Sequence, residues 1–278
     1  MDVAVGIVAQ RDNERAQELA ASLVDALERE GASVVVDEAT GEAVGATPVS
    51  VAAMAGRDLV VSIGGDGTLL FVAREVGSTP ILGVNLGEVG FLNAVAPADA
   101  LGVVTDLVTD LDRTGTVEGR ELSRLQATGV DGDWTLEPAL NEIVIHGPRR
   151  GHGGGATIEI DVDGQRYAES HADGVLVATP TGSTAYNLSE GGPLLHPTAD
   201  ALVVTQMAAT EAMPPLVVEP DTEVTLTVTG TDTAYAISDG RNRQRLEPPA
   251  AVSVSLASES VTLAGPQANF FDGLDKLE

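Results

Sequence analysis

Two stretches of the 278-residue chain combine residue types and spacings that could do chemistry on a phosphorylated ligand. The first, Gly64-Gly-Asp-Gly-Thr68, lies between an apolar run, Asp58 to Ile63, and an apolar segment of helical character, Leu69 to Val76. Glycines between a strand and a helix let the backbone approach a phosphate, and the helix N-terminus adds unpaired N–H groups and partial positive charge. Gly64, Gly65, Gly67 and Thr68 are therefore candidate phosphate-loop residues. Asp66 stands at the carboxyl end of the strand, where ligands bind in open α/β sheets. A carboxylate beside phosphates is repelled unless it helps hold a metal ion or accepts a proton from an attacking hydroxyl. Taken alone, the same pentapeptide is also an ordinary turn capped by Asp66.

The second stretch is His171 to Pro193, in which Val175 to Ala178 reads as a buried strand stopped by Pro180. Thr179, Thr181, Ser183 and Thr184 offer hydroxyls, Gly182 admits close backbone approach, and Tyr186 presents a flat face with one polar tip. That combination suits an adenine and a ribose. The competing reading is a Ser/Thr-rich turn capping a helix that begins near Ala185.

Three further features add to these. Asn141 and Glu142 open an apolar strand, Leu140 to Ile145; an amide that donates and accepts, beside a carboxylate that can accept from the two hydroxyls of a ribose, is on the residues alone equally a pair of ordinary polar residues at a strand edge. Phe91 lies in Leu86-Gly-Glu-Val-Gly-Phe-Leu92, after the strand Pro80 to Asn85, and is either a core aromatic or a face for a base. Arg149 and Arg150 begin a glycine-rich loop reaching Gly155, while Arg241, Arg243 and Arg245 alternate and would share one face of a strand. The four histidines at 146, 152, 171 and 196 have no metal-binding spacing, and no fixed protein metal site is expected.

Composition sets outer limits. With 42 acidic residues against 15 basic ones, the net charge is −27, and Lys276 is the only lysine. Such a chain repels nucleic acid. Its 43% hydrophobic content is too high and too well patterned for an acidic disordered protein. A dense carboxylate surface stays hydrated where salt screens its self-repulsion, which points to a halophilic cytoplasm. There is no cysteine, no apolar run of membrane-spanning length and no basic-then-apolar leader, so neither disulfides nor a membrane location is expected.

The elements that must carry these residues fall into two patterns. Val3 to Val8, the helical spacing of Ala16, Leu19, Ala20, Leu23 and Leu27, and Ala32 to Val36 form a βαβ opening, with Asp12 or Asn13 as cap and Gly31 as stop. Asp37 to Thr47 reads as a loop, Val49 to Ala55 as a short helix, and Asp99 to Leu111 as a longer one. From about Thr116 the pattern becomes short alternating strands: Leu122 to Val130, Trp134 to Leu136, Ala156 to Val162, Glu223 to Thr229, Ala234 to Ser238 and Val252 to Leu256. Asp131-Gly132 and Asp163-Gly164 mark tight turns. The expected architecture is an α/β N-terminal domain with a parallel, Rossmann-like sheet over residues 1–112, then a β-rich, sandwich-like domain over 113–268. Residues 269–278, including Phe270 to Leu277, would return to the first domain.

Asp173-Gly174, Thr179 to Tyr186 and Gly191-Gly-Pro193 together closely resemble the signature of the NAD kinase family. The resemblance extends to Gly64 to Thr68, to Leu86 to Leu92, to Asn141-Glu142, to Leu194-Leu-His-Pro197, to Leu216-Val-Val218 and to Asp239-Gly240, so it spans nearly the whole chain. It implies transfer of a phosphoryl group from ATP, or from polyphosphate, with Mg²⁺ or another divalent cation, to the 2′-hydroxyl of the adenosine ribose of NAD. No tightly bound cofactor is implied. Asp66 would take the hydroxyl proton or help place the metal, with Gly67 beside it in the NAD site. Asn141 and Glu142 would hold ribose hydroxyls, Phe91, Thr184 and Tyr186 the adenine, and Asp173 and Ala185 the nicotinamide end. Ser189 belongs to the same NAD-binding set, and Arg149, Arg150 and Arg241 would contact phosphate. The family places the nicotinamide end at a subunit contact, which implies a homodimer or homotetramer. Two departures remove cationic character: His171 stands where the family commonly has arginine, and Ala209 to Pro215 replaces a basic, hydroxyl-rich segment. They keep open a regulatory paralogue that binds NAD or NADP without turnover. The pentapeptide is shared with diacylglycerol and sphingosine kinases, so a lipid kinase is the other alternative.

Overall fold

The computed structural model describes residues 1–87, 91–149, 151 and 154–274. Two compact units emerge, Met1–Leu122 joined by the chain from Glu259 onward, and Ser123–Ser258.

The first unit is built on β1 (Ala4–Ala9), α1 (Glu14–Arg29), β2 (Ser33–Asp37), α2 (Glu38–Val44), β3 (Pro48–Val49), β4 (Leu59–Gly64), α3 (Asp66–Glu75), β5 (Ile81–Asn85), α4 (Ala100–Thr114) and β6 (Gly119–Leu122). Strands β3, β2, β1, β4 and β5 pair in parallel in that order, as crossovers through helices require. Alternation along β4 sends Leu59, Val61 and Ile63 into one core with Ala16, Ala20, Leu23 and Leu27 of α1 and Val104 and Val108 of α4. Its intervening residues face the other way, towards the side covered by α3. Asn13 caps α1 by accepting from the Ala16 N–H at 3.3 Å, and Gly31 takes the left-handed φ of +90° that follows the helix.

Two readings of the sequence are corrected here. The stretch from Asp37 to Thr47 contains a helix, α2, whose N-cap Asp37 accepts from the Ala39 N–H at 3.1 Å. Its helical signal is masked by Gly41 at mid-helix, which the packing requires because a Cβ there would sit 2.8 Å from the Pro48 Cβ. Val51–Met54 is a single 3-10 turn rather than a helix from Val49 to Ala55.

The second unit contains β7 (Leu125–Gly129), β8 (Glu142–His146), β9 (Ala156–Val162), β10 (Gln165–Ala172), β11 (Gly174–Ala178), α5 (Tyr186–Ser189), β12 (Leu202–Met207), β13 (Leu216–Val218), β14 (Val224–Thr229), β15 (Ala234–Ser238), β16 (Asn242–Leu246) and β17 (Ala250–Leu256). They form two antiparallel sheets, ordered β10-β9-β14-β17-β7 and β13-β12-β11-β8-β15-β16. Ile158, Ile160, Leu226 and Val254 of one sheet bury against Ile143, Ile145, Val175 and Val177 of the other, giving the expected sandwich. Leu122 to Val130 is split between the last residue of β6 and the whole of β7, and Trp134 to Leu136 contributes one isolated bridge, Thr128 to Thr135.

The chain then returns to the first unit as β18 (Val261–Ala264), parallel to β5 and antiparallel to β6, and closes with α6 (Phe270–Leu274). Among the described residues no helix is long and apolar enough to cross a membrane.

Candidate active site

In the first unit β4 ends at Gly64 and α3 begins two residues later, with Gly65 as its N-cap. Gly64 must be glycine because a Cβ would meet the Thr68 Oγ1 at 2.4 Å. Gly65 and Gly67 are different: neither has positive φ, and among the described residues a Cβ on either would find nothing within 4 Å beyond its chain neighbours and its own helix. A glycine inside a helix costs about 1 kcal/mol against alanine, and internal packing gives no reason for that cost. The bare backbone leaves room for a bulky anion at the helix N-terminus.

Asp66 does not cap the helix. Its carboxylate turns to the segment after β5, where Oδ2 accepts from the Phe91 N–H at 3.0 Å. Oδ1 accepts from the Leu92 N–H at 3.4 Å and from Asn93 Nδ2 at 2.9 Å. Both oxygens are fixed, and Oδ2, with one protein donor, retains an acceptor position for a hydroxyl. Phe91 is half-buried, with the Phe270 ring 5.8 Å away and α6 pressed so close that a Cβ on Gly273 would lie 2.8 Å from the ring. Glu88, Val89 and Gly90 of the preceding motif lie outside the described residues, as do Asp275, Lys276 and Leu277 beyond α6.

In the second unit Asn141 and Glu142 enter β8 beside the end of β11, with Glu142 paired to Ala178. One residue organises this junction. The Asp239 carboxylate accepts from the backbone N–H groups of Leu140, Asn141 and Glu142 at 2.7, 2.8 and 3.1 Å. Asp239 reaches them from the tight turn joining β15 to β16, where it holds a φ of +44° and Gly240 one of +68°. Glu142 is 6% exposed and its Oε2 has no hydrogen-bond partner among the described residues. Burial first, and then the neighbouring Asp239 charge, push its carboxyl up to about 8, against a backbone hydrogen bond from Tyr186 that favours the ionised form.

The hydroxyl-rich turn divides into two groups. Thr179 Oγ1 donates to the Leu140 carbonyl at 2.6 Å and accepts from the Gly182 N–H, while Ser183 Oγ donates to the Pro180 carbonyl and accepts from the Leu195 N–H. These two hydroxyls build the turn. Asn187 completes it, donating to the Ser183 and Pro193 carbonyls and accepting from Thr205. Thr181, Thr184, Ala185 and Tyr186 are left half-buried, and Ser189 is exposed at the end of α5. Tyr186 packs on Val144, Leu176, Ala178 and Met207. Gly182 lies so close to β8 that a Cβ would be 2.0 Å from the Asn141 carbonyl oxygen. Gly182→Ala is therefore expected to destabilise the protein by about 2 kcal/mol or more, read as a lowered unfolding midpoint in molar KCl; an unchanged midpoint would contradict this packing.

Asp173 Oδ2 accepts from the Gly151 N–H at 2.8 Å, and the His171 Nε2–H donates to the Gly154 carbonyl at 3.0 Å. Both residues thus fasten the glycine-rich loop that follows Arg149; Arg150 and His152 lie outside the described residues. Only Arg243 and Arg245 share the exposed face of β16, because Arg241 falls in the turn before it. The Arg243 guanidinium stacks 3.4 Å from the Tyr235 ring centroid. Sequence reasoning did not single out Ser62, Asn93 or the bonding role of Asp239. The only hint was the Asp-Gly pair at 239, whose turn chemistry gives no sign of what its carboxylate holds.

The first unit is a parallel sheet whose glycine-aspartate-glycine loop opens a helix N-terminus suited to phosphate, and the second is a β-sandwich with a hydroxyl-rich turn. The model of the ATP-NAD kinase N-terminal domain matches residues 5–111, and that of the ATP-NAD kinase C-terminal domain matches 140–264. The chain is 55% identical to the NAD kinase of Haloarcula marismortui, covering 98% of this chain and 99% of that one. It is 53% identical to the NAD kinase of Halobacterium salinarum, covering 99% of each. The chain belongs to the NAD kinase family. Among solved structures, yeast NADH kinase complexed with NADH superimposes with a TM-score of 0.86 at 22% identity, covering 99% of this chain and 87% of that one. An NAD kinase from Archaeoglobus fulgidus in complex with ATP gives 0.75 at 22% identity, covering 95% and 94%. At that identity these two speak for the fold.

Proposed function

We propose that this chain transfers the terminal phosphoryl group of ATP to the 2′-hydroxyl of the adenosine ribose of NAD, forming NADP. The observation that carries the reading is the end-to-end match to NAD kinases of halophilic archaea at more than half identity. The relatives' halophily also agrees with the net charge of −27. A lipid kinase shares the glycine-aspartate loop and gives no account of the turn from Thr179 to Tyr186.

In the first unit, Gly65 and Gly67 admit the phosphates, and Asp66 Oδ2 accepts the proton of the attacking hydroxyl. Asp66 already takes three N–H donors, which fix its carboxylate in place and leave an acceptor position on Oδ2 for that hydroxyl. The divalent cation, Mg²⁺, travels with the nucleotide as part of the substrate and neutralises its phosphate charge. Phe91 offers a face to the adenine. In the second unit, Asn141 and Glu142 take ribose hydroxyls, Thr184 and Tyr186 the adenine, and Asp173, Ala185 and Ser189 the nicotinamide side. Arg149, Arg150 and Arg241 contact phosphate. Polyphosphate is a second donor to assay beside ATP, and a homodimer or homotetramer in the cytoplasm is the assembly and location expected.

Glu142 supplies the test of the binding half. Below about pH 8 the free protein holds this carboxyl protonated, through burial and Asp239. Ribose hydroxyls that donate to it favour the ionised form, so NAD binding expels a proton and tightens as pH rises towards 8, by up to about tenfold per pH unit. Above that value the dependence flattens. Titration calorimetry in two buffers of different ionisation enthalpy reads the proton directly. Glu142→Gln, which cannot ionise, is expected to abolish the release, and an unchanged release in that variant would remove Glu142 from the ribose site.

A further inference from the structure

Two buried polar atoms in the first unit have no hydrogen-bond partner among the described residues and lie on the same face of the sheet. Ser62 in β4 is 0% exposed with its Oγ unpaired, and Asn93 is 2% exposed with its Oδ1 unpaired. Ser62 is the parallel register partner of Gly83 in β5, so their side-chain positions stand side by side at about the 4.8 Å strand spacing. Asn93 Oδ1 occupies the space directly over Gly83, only 2.1 Å from where a Cβ would be. The glycine therefore makes the room that the amide oxygen occupies, on the face of the sheet that the Ser62 side chain shares. One atom is a donor and the other an acceptor, and a single hydrogen bond would satisfy both. At its other end the same amide donates from Nδ2 to Asp66 Oδ1 at 2.9 Å.

Building on the role given to Asp66 above, we propose that Ser62 and Asn93 form a buried positioning relay behind it. The Ser62 hydroxyl donates to Asn93 Oδ1, which fixes the amide so that Nδ2, not the carbonyl, faces Asp66. With Oδ1 engaged, the carboxylate is rotated so that Oδ2 meets the acceptor hydroxyl. Neither relay residue touches substrate; both act through the orientation of Asp66. The segment is anchored downstream too, because Val95 returns to the sheet beside Val84 and exchanges hydrogen bonds with Asn85 and Gly83. Rotation of the amide is thus the freedom that Ser62 removes.

The test is steady-state NADP formation by the full chain in molar KCl, comparing wild type, Ser62→Ala, Asn93→Asp, the double variant and Asp66→Asn. Asn93→Asp keeps the size but sets an acceptor against Asp66, and is expected to lower kcat by about 50-fold while the KM values for NAD and ATP stay within about twofold. Ser62→Ala is expected to lower kcat by roughly fivefold with the same KM values, about the worth of one neutral hydrogen bond. In the double variant the loss should be no greater than in Asn93→Asp alone, because the two residues act in series. A merely structural role would lower the unfolding midpoint without splitting kcat from KM. Wild-type kcat in Ser62→Ala, or additive losses in the double variant, would overturn the relay. Should Asn93→Asp not fold, Ser62→Ala decides the question alone. Full activity in Asp66→Asn would instead remove the carboxylate that the relay is proposed to serve, a failure distinct from the relay's own.

Discussion

Asp66→Asn is expected to lower kcat for NADP formation by about a thousandfold or more, roughly 4 kcal/mol of barrier. Phosphoryl transfer leaves the protein little covalent chemistry, so the acceptor hydroxyl must be oriented and relieved of its proton at the same moment. The amide of an asparagine keeps the volume and one acceptor oxygen, but it cannot take the proton. It also places an NH₂ group against donors: the wild-type oxygens face the N–H groups of Phe91 and Leu92 and the Nδ2 of Asn93, so one contact becomes donor against donor. The 91–93 segment therefore shifts as well, and a modest rise in the KM for NAD accompanies the fall in kcat. Single-turnover measurements with both substrates saturating separate the two effects. A kcat within about tenfold of wild type would show that Asp66 is not the proton acceptor.

The second large effect is expected at Asp239, where one carboxylate satisfies three consecutive backbone N–H groups at the head of β8. Asp239→Ala leaves all three without that acceptor, at about 1–3 kcal/mol for each donor that water does not reach. A total of about 3–5 kcal/mol places this substitution among the strongly destabilising class. NAD affinity should fall with it, since Asn141 and Glu142 lose the anchor of their own backbone. Asp239→Gly separates backbone from side chain: glycine adopts the φ of +44° without strain, yet the loss should match that of alanine. Removing the charge also takes away one of the two causes that hold the Glu142 carboxyl up, so the pH at which NAD binding flattens moves downward. Thermal unfolding in molar KCl reads the first effect, calorimetric titration with NAD the second. A glycine variant as stable as wild type would show that strain, not hydrogen bonding, dominates at this turn.

Much of this architecture is legible in the residue pattern, and the exceptions have physical causes. Apolar runs such as Val3 to Val8 and Asp58 to Ile63, each followed by helical spacing, declare the parallel sheet because buried strands must be apolar throughout. Strand β10 is harder to see: Gln-Arg-Tyr-Ala-Glu-Ser-His-Ala buries only Ala168, Ser170 and Ala172, small residues that give a weak alternating signal. Helix α2 carries a mid-helix glycine demanded by Pro48, a tertiary reason invisible to local propensity. Among the candidate residues, Asp66 in the first unit and Asn141, Glu142 and the Thr179 to Tyr186 turn in the second stand out along the chain because they occupy short contiguous motifs. Asp239 holds the Asn141 N–H across a sequence separation of 98 residues, and Asn93 reaches Asp66 across 27. Partnerships of that kind are set by sheet order and turn geometry, and no spacing rule along the chain displays them. The hydroxyl-rich turn is the reverse case: Thr179 and Ser183 look like ligand groups in the sequence and are used to build the loop, leaving Thr181 and Thr184 half-buried beside them.

The most direct test of the central claim is the conversion of NAD to NADP by the purified chain with ATP and Mg²⁺ in molar KCl, followed with an NADP-specific dehydrogenase. The account predicts NADP formed mole for mole with ADP. Binding of NAD with no NADP formed from either ATP or polyphosphate would contradict it and leave a protein that holds the dinucleotide without phosphorylating it.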